Sequence, residues 1–563
     1  MSKTSVKTTV EWETLNWRKL EIAVTKLQKR IYRASQRGDI KAVRKLQKTL
    51  MRSSSAQFIA VRKVTQDNKG KNIAGVDKVK SLNPQQRLNL AKNLKIDRRA
   101  SALRRIWIPK PGRSEKRPLG IPTIKDRAKQ ALAKMALEPE WEAKFEETSY
   151  GFRPGRSAHD AIEHIFTSIG QSSKYVLDAD IAKCFDQINH QELLRKVNTF
   201  PTMRRQIKAW LKSGVMDGGE LFPTNEGTPQ GGVISPLLAN IVLHGMMQDI
   251  KSQYPKIKRV NGKPVNWKPC IVRYADDFVV IHPDRPTIME IKEKISEWLK
   301  PIGLTLKDEK TRVCHSLNKS IDEEPGFDFL GFNIKQYPDN NTRLGFKTII
   351  QPSEKSVRQH LQELREIVKA HKSAKTVDLI KKLNHVIRGW ANYYKTVCSS
   401  LAFKRVHHDL YMMLTQWGKR RTGKYDRTYQ MYWHEVNAVK VFASNPPNGG
   451  EPMTLQTHNQ YRIKRHVEVK GGNSPYDGNW VYWGERLRNL PGLPTRVQKL
   501  LKKQNSKCSE CGLSFKPGDK WEIDRRIPRS NGGKDHSSAL SSRQNWKRKS
   551  AEVRENSPMQ PSH

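Results

Sequence analysis

Asp276 and Asp277 stand side by side in Tyr274-Ala-Asp-Asp277, with apolar strand formers on both flanks: Ile271 and Val272 before, Phe278, Val279, Val280 and Ile281 after. A merely solvated turn needs no such flanks, whereas an acidic tip joining two strands does. A second acidic stretch, Asp178-Ala-Asp-Ile-Ala-Lys-Cys-Phe-Asp186, continues the short apolar run Tyr175-Val-Leu. Acids on two separate strands can converge on one divalent-cation site. The chemistry that asks for such a site is nucleotide addition, in which a hydroxyl loses its proton and an anionic diphosphate leaves. Two Mg2+ ions roughly 3.5–4 Å apart stabilise the attacking and leaving oxygens of that displacement. Mg2+ takes hard oxygen ligands, commonly one or two carboxylates plus substrate phosphates.

The elements that must position these acids alternate between strand and helix. Arg105-Ile-Trp-Ile-Pro-Lys110 is β-like and turns at Pro111-Gly112; residues 123–145 have a helical pattern. Tyr175–Asp180, Ile271–Tyr274, Phe278–Ile281 and Phe327–Leu330 are short strands between helices, so residues 101–350 form an α/β or α+β unit. Ahead of it, Trp12, Leu15, Leu20, Ala23, Leu27 and Ile31 recur at helical spacing, and residues 1–100 form a basic helical extension. Residues 351–440 turn helical again through Val357, Leu361, Leu364, Leu379 and Leu383. Asn-Pro-Pro-Asn-Gly-Gly and Gly471-Gly-Asn-Ser-Pro475 have the composition of linkers around a basic, loop-rich segment at 441–495. A small basic module fills 496–563.

Composition narrows the partner. The chain has 563 residues, 104 Lys plus Arg against 55 Asp plus Glu, and a net charge of +49. Cations recur along the whole chain rather than in one tail, which asks for a long polyanion, a nucleic acid, more than for a soluble basic protein without one. No apolar run reaches the about 18 residues of a membrane span, and the first ten residues lack the apolar core of a secretory signal. Six scattered Cys make no disulfide framework. A reducing cytoplasm, bacterial by default, is expected, with no membrane partner; oligomeric state stays open.

In chain order, Arg117-Pro-Leu-Gly-Ile-Pro122, Tyr150-Gly-Phe-Arg-Pro-Gly-Arg156, Asp180–Asp186, Gly227-Thr-Pro-Gln-Gly-Gly-Val-Ile-Ser-Pro236, Tyr274-Ala-Asp-Asp277 and Phe329-Leu-Gly-Phe332 resemble the reverse transcriptases encoded by group II introns. Arg388-Gly-Trp-Ala-Asn-Tyr-Tyr394 resembles their thumb, or maturase, domain. The resemblance implies a right-hand polymerase with fingers, palm and a helical thumb. It implies Asp180 and Asp276 as the principal ligands of two Mg2+ ions, Asp277 as the third acid, and the Ile181 carbonyl as a further metal ligand. Phe185 would lie under the sugar and favour deoxynucleotides, with an ordinary core aromatic as the lesser alternative. Gln230, Gly231 and Gly232 would floor the pocket for deoxynucleoside triphosphates. Lys110 and Arg117 would hold the triphosphate, with Lys116 as the alternative to either and Lys310 at the edge of the site. Phe329, Gly331 and Phe332 would form the primer grip.

The same resemblance implies binding of group II intron RNA, whose splicing the protein promotes, and of target DNA, which primes copying of that RNA in target-primed reverse transcription. Arg388, Tyr393 and Tyr394 are candidate nucleic-acid contacts, since cations beside aromatics suit unpaired bases, while Arg153 and Arg156 would contact template phosphates or serve a purely structural role. Trp390 reads better as packing between helices. Residues 508–549 resemble a broken His-Asn-His endonuclease. Cys508 and Cys511 are half of the four ligands structural zinc asks for, so zinc is not expected. Arg525 and Arg526 replace the expected His pair, and Arg cannot accept a proton at neutral pH. His536 is at most a stray ligand. Two other readings stand beside this one: an RNA-binding splicing cofactor with no polymerase activity, and a reverse transcriptase from another kind of element.

Overall fold

Tyr175–Asp180, Asp277–His282 and Cys270–Tyr274 are apolar through most of their length, and with the more polar Arg312–His315 they form a sheet covered on both faces. In the computed structural model the four strands are antiparallel, in the order Arg312–His315, Tyr175–Asp180, Asp277–His282, Cys270–Tyr274. Leu177, Ile271, Phe278 and Val280 pack on one side with Ile288, Ile291 and Ile295 of the helix Arg285–Leu299. Val176, Val272, Val279 and Ile281 pack on the other with Ile162 and Ile165 of the helix Ala158–Ile169. The structure describes residues 11–109, 116–228, 230–319, 324–436, 439–445, 452–491, 493–509, 512, 514–515, 519, 521–525 and 538–542.

The N-terminal stretch divides into three helices, Trp17–Gln36, Ile40–Arg52 and Ser54–Arg62. Asn16 and Asp39 cap the first two by accepting from the Lys19 and Ala42 amides. They pack on the helix Ile124–Glu142 around Ile31, Leu50 and Leu132, each fully buried. A second four-stranded sheet runs in the order Lys116–Ile121, Leu103–Pro109, Val215–Asp217, Glu220–Phe222. A third joins Phe327–Phe329, Phe332–Pro338 and Phe346–Pro352. The helices Glu354–Ala370, Thr376–Tyr394 and Ser400–Thr422 follow and bury Leu364, Leu383, Ile387 and Leu410 between them. The mixed α/β architecture is thus the expected one.

The chain then doubles back, and here the linker reading is corrected. Residues 457–477 form a strap pressed onto the central unit. Gly471 and Asn473 present carbonyls to Arg156 (2.7 and 3.4 Å), and Gly472 presents one to the Tyr32 hydroxyl (3.5 Å). Asp160, fully buried, is the anchor: it accepts from the Val469 amide at 2.9 Å and from Arg486 at 2.5 Å, and pairs with His466 at 3.0 Å. Trp483 of the helix Trp480–Asn489 fills the space beside Gly155. Gly471-Gly-Asn-Ser-Pro475 is docked chain, because its peptide groups supply the acceptors that a buried arginine and a tyrosine need. The other glycine-rich candidate, at 445–450, lies outside the described residues apart from Asn445.

Beyond the strap, the helix Thr495–Lys503 and the hairpin Trp521–Arg525/Ser538–Ser542 share a small core of Leu487, Val497, Leu501, Phe515 and Leu540. Cys511, Arg526 and His536, and the side chain of Arg525, lie outside what the structure describes. Cys508 is buried in that core. No described helix is long and apolar enough to cross a membrane.

Candidate active site

Strand register brings the acids together. Asp180 lies directly opposite Asp277, and the hairpin turns through Ala275 and Asp276 between the paired residues Tyr274 and Asp277. Three carboxylates therefore share one edge of the central sheet, all half-buried. Ala275 sits at φ 60°, a left-handed conformation that a residue with a Cβ adopts at a cost. Its carbonyl accepts from Arg273 Nη1 at 3.0 Å. That arginine is completely buried and also donates to Asn240 Oδ1 at 3.0 Å. Asn240 in turn donates to the Gly151 carbonyl at 2.8 Å.

Residues 148–151 run alongside the hairpin: the Arg273 amide donates to Thr148 and the Tyr150 amide to Arg273, both at 2.9 Å. Gly151 is in such close contact that a Cβ there would stand 2.2 Å from the Ala275 nitrogen. Gly151, Arg273 and Asn240 form a clamp under the acidic tip that the motif reading missed. One signal was in the sequence, a lone arginine inside an apolar strand, since unpaired charge is rarely buried.

Crowding of negative charge sets the electrostatics. Burial and then the repulsion of Asp276 and Asp180 push the Asp277 carboxyl up to about 7. Burial, with Asp180 adding to it, also raises Asp276, while Lys310 and Arg117 pull it down. Lys310 makes an ion pair with Asp180. Arg117 is exposed, and its field reaches both Asp276 and Asp186. The Ile181 amide donates to the Asp276 carbonyl at 3.3 Å, tying the two acidic segments at the backbone. Among the described residues no three acidic, thiol or imidazole side chains stand as a ready-made metal cage. Hard carboxylate oxygens in excess over nearby cations nonetheless suit a divalent ion that takes one or two carboxylates and completes its shell from substrate oxygens.

The Thr228 amide donates to the Phe185 carbonyl, and farther along the same loop Gln230 meets the strand Lys116–Ile121: the Gly120 amide donates to the Gln230 carbonyl at 2.7 Å. Gly231, at φ 110°, would carry a Cβ only 2.6 Å from the Gly120 oxygen, so this position admits no side chain. Phe185, Gln230, Gly120, Thr228 and Arg105 line a cleft of about 390 Å3. The Phe185 ring meets Phe152 edge-on at 6.2 Å. Lys110 lies outside the described residues.

The hairpin joining Phe327–Phe329 to Phe332–Pro338 turns through Leu330 and Gly331, both at positive φ. Phe332 packs against Tyr393 and Tyr394 with tilted rings, ring centres 5.1 and 5.0 Å away. Their hydroxyls donate to the Leu330 and Gly331 carbonyls at 3.0 and 3.2 Å. Both tyrosines are spent holding this turn, and Tyr394 is buried. Trp390 stacks on His360 at 4.4 Å, packed between helices as expected.

Arg153 and Arg156 are likewise turned inward. Arg153 grips Glu142 with two bonds (2.9 and 3.1 Å) and the carbonyls of Glu146 and Ser149 at 2.7 Å; Arg156 donates to Glu147 and to the strap. Neither presents its guanidinium to an exposed surface. Arg388 is exposed, and its Nε donates to Gln456 Oε1 at 3.4 Å.

Three family matches cover most of the chain: the N-terminal domain of reverse transcriptase over 12–94, reverse transcriptase (RNA-dependent DNA polymerase) over 108–334, and the group II intron maturase-specific domain over 357–433. Protein YkfC of Escherichia coli (strain K12) is 32% identical over 325 residues, 52% of this chain and 83% of that protein. The group II intron-encoded protein LtrA of Lactococcus lactis subsp. cremoris is 25% identical over 491 residues, 73% of this chain and 78% of its own. Maturase-like protein 1 of Euglena gracilis is 28% identical over 414 residues, covering 69% and 80%. With acids, glycine loop and turn all in place in the matched region, the chain belongs to the reverse transcriptases that carry a group II intron maturase domain.

Proposed function

We propose that this enzyme copies RNA into DNA at the edge bearing Asp180, Asp276 and Asp277, and that it binds group II intron RNA to promote its splicing and its reinsertion by target-primed reverse transcription. One observation carries the polymerase half: the pairing of Asp180 with Asp277 gathers three carboxylates on one edge of the central sheet. Asp180 and Asp276, with the Ile181 carbonyl, would hold two Mg2+ ions, and Asp277 would complete the acidic cluster. Bound there, the ions supply positive charge for the attacking 3′-hydroxyl and the departing diphosphate. The chain's own part is positional. Arg117 and Lys310 meet the triphosphate, Gln230 and Gly231 floor the pocket, and Phe185 excludes a 2′-hydroxyl.

In this reading residues 101–350 are fingers and palm, 351–440 the thumb, 441–495 a DNA-binding domain whose strap is docked on the palm, and 496–563 a module without nuclease activity. Maturation would be a binding function, with the RNA performing its own transesterification and the +49 protein neutralising its phosphates. Primer extension on an RNA template with Mg2+, wild type against Asp276→Ala, is the test. Extension by wild type alone is expected, with intron splicing stimulated by both proteins. Splicing without extension by wild type would leave an RNA-binding cofactor and end the polymerase reading.

A further inference from the structure

Three aromatic rings form a column that runs from the core to the surface. Tyr425 and Tyr429 lie one turn apart on the helix Tyr425–Tyr432, and Trp433 follows at its end, so the three side chains share one side. Trp433 is buried, meeting Phe442 edge-on at 5.0 Å and Tyr411 edge-on at 5.5 Å. Tyr429 is nearly parallel to Trp433, with 15° between the planes and 5.8 Å between the centres. Tyr425 is nearly parallel to Tyr429 in turn, at 10° and 6.4 Å. This outer ring is 48% exposed. Its hydroxyl is nevertheless fixed, hydrogen-bonded to that of Tyr411 at 3.1 Å. A flat ring braced from behind, bonded at its rim and open to solvent is a platform that needs no ligand to order it.

We propose that Tyr425 is a stacking platform for an unpaired base of single-stranded RNA, the outermost step of a column that Tyr429 and Trp433 support. The inference rests on the RNA-binding half of the proposed function and gives that half a site. Charge selects the partner. In Lys419-Arg-Arg-Thr-Gly-Lys-Tyr-Asp-Arg427 five cations surround Tyr425, and Asp426 is the one acid. Arg421 is committed to the Ala374 carbonyl at 2.8 Å and to the face of Trp417 at 4.6 Å. Lys419, Arg420, Lys424 and Arg427 are exposed. Lys440, on the strand Val439–Ser444, adds a further cation 4.6 Å over the Tyr429 ring. Cations beside an open aromatic face match a strand that offers phosphates and bases together. A duplex hides its base faces in its own stack, so the unpaired base is the part that fits. The column lies within residues 357–433, matched by the maturase-specific domain, which makes RNA the strand.

Packing accounts for the inner rings but not for the outer one. Trp433 and Tyr429 complete the core around Leu410, Leu414 and Phe442. Tyr425 leaves nearly half its surface in water. The contrast with Tyr393 and Tyr394 is direct: their hydroxyls hold a backbone turn and their rings pack on Phe332, whereas Tyr425 is held by another side chain and keeps its ring accessible.

The test uses the full-length protein in about 0.3 M salt, where phosphate contacts alone are weak. The probe is a single-stranded oligouridine of about twelve nucleotides, within the range of known single-strand sites, and its control is an abasic ribose-phosphate strand of the same length and charge. With one 5-iodouridine in the probe, irradiation couples the base to the ring it stacks on, and peptide mass spectrometry should find the cross-link on Tyr425. Tyr425→Ala should weaken oligouridine binding at least about fivefold, the low end for losing one base stack. Tyr425→Leu, which keeps an apolar side chain without a flat face, should match it, and Tyr425→Phe should stay within about twofold of wild type. The abasic strand should bind weakly and alike to all four proteins. Cross-links confined to other residues, or Tyr425→Ala and Tyr425→Leu proteins within about twofold of wild type, overturn the platform. An equal loss for the abasic strand also overturns it, because the contact would then be with phosphate alone. Intron RNA binding by wild type is measured alongside: its absence would end the RNA-binding reading and the platform with it, whereas its presence with any of the adverse results above would end the platform alone.

Discussion

Replacing Gly151 by alanine tests whether the clamp under the acidic tip sets the reaction geometry. The added carbon would lie 2.2 Å from the Ala275 nitrogen, 2.8 Å from the Tyr274 carbonyl carbon and 3.0 Å from the Ala275 Cα. Ordinary contact needs about 3.5 Å, so something must move by roughly 1 Å. The atoms in the way are backbone, which no rotamer change can remove. Gly151 itself is held by Asn240, and its neighbour Tyr150 by the backbone of Arg273. The tip carrying Asp276 is therefore what shifts. A 1 Å misplacement of reacting groups costs on the order of 100-fold, about 2.7 kcal/mol of barrier. Single-turnover extension of a DNA primer on an RNA template should show that loss in rate, with much less change in nucleotide KM. Overpacking of this kind destabilises by about 1–3 kcal/mol, so a thermal melt confirms that the variant is folded at the assay temperature. A Gly151→Ala enzyme that is folded and within about threefold of wild type would refute the clamp.

Two further outcomes follow from the same contacts. Asp160 is held at about 2, burial opposing and His466, Arg486 and Ser157 favouring its charged form. Its folded value lies below its unfolded one, so its contribution is present above about pH 4 and is lost as pH falls toward 2; the shift corresponds to about 2 kcal/mol. Denaturant melts at pH 6, 4 and 2.5 should show this acid-labile part in wild type and not in Asp160→Asn, which should already be less stable at pH 6; parallel profiles would remove Asp160 as the strap's anchor. Tyr394→Phe should cost about 1 kcal/mol by chemical denaturation and change extension less than about twofold, because the Ser353 amide and Ser356 hydroxyl still donate to the Gly331 carbonyl. A loss of activity without a loss of stability would instead place Tyr394 on the nucleic acid.

How much could be read from residues alone depended on how far away each partner was. The acidic tip was legible because its evidence is local: acids between β-branched runs are a two-strand hairpin and little else. That Asp180 faces Asp277 was not, since register is decided across some hundred residues by which faces are buried. The motif holding Arg153 and Arg156 leaves a template contact and a structural role almost equally open. What turns them inward is Glu142 on a preceding helix and carbonyls of the strap more than three hundred residues on. The strap was read as linker because Gly471-Gly-Asn-Ser-Pro475 carries almost no apolar side chain, yet it is peptide carbonyls that bind Tyr32 and Arg156, and a carbonyl leaves no trace in composition. The same reasoning separates the two halves of the function. Polymerisation relies on side chains whose type is dictated by chemistry, so it is written in motifs. Attachment of the strap relies on backbone acceptors and one buried aspartate, so a single Asp160→Asn should disturb it more than any rearrangement of its glycines that keeps the carbonyls in place.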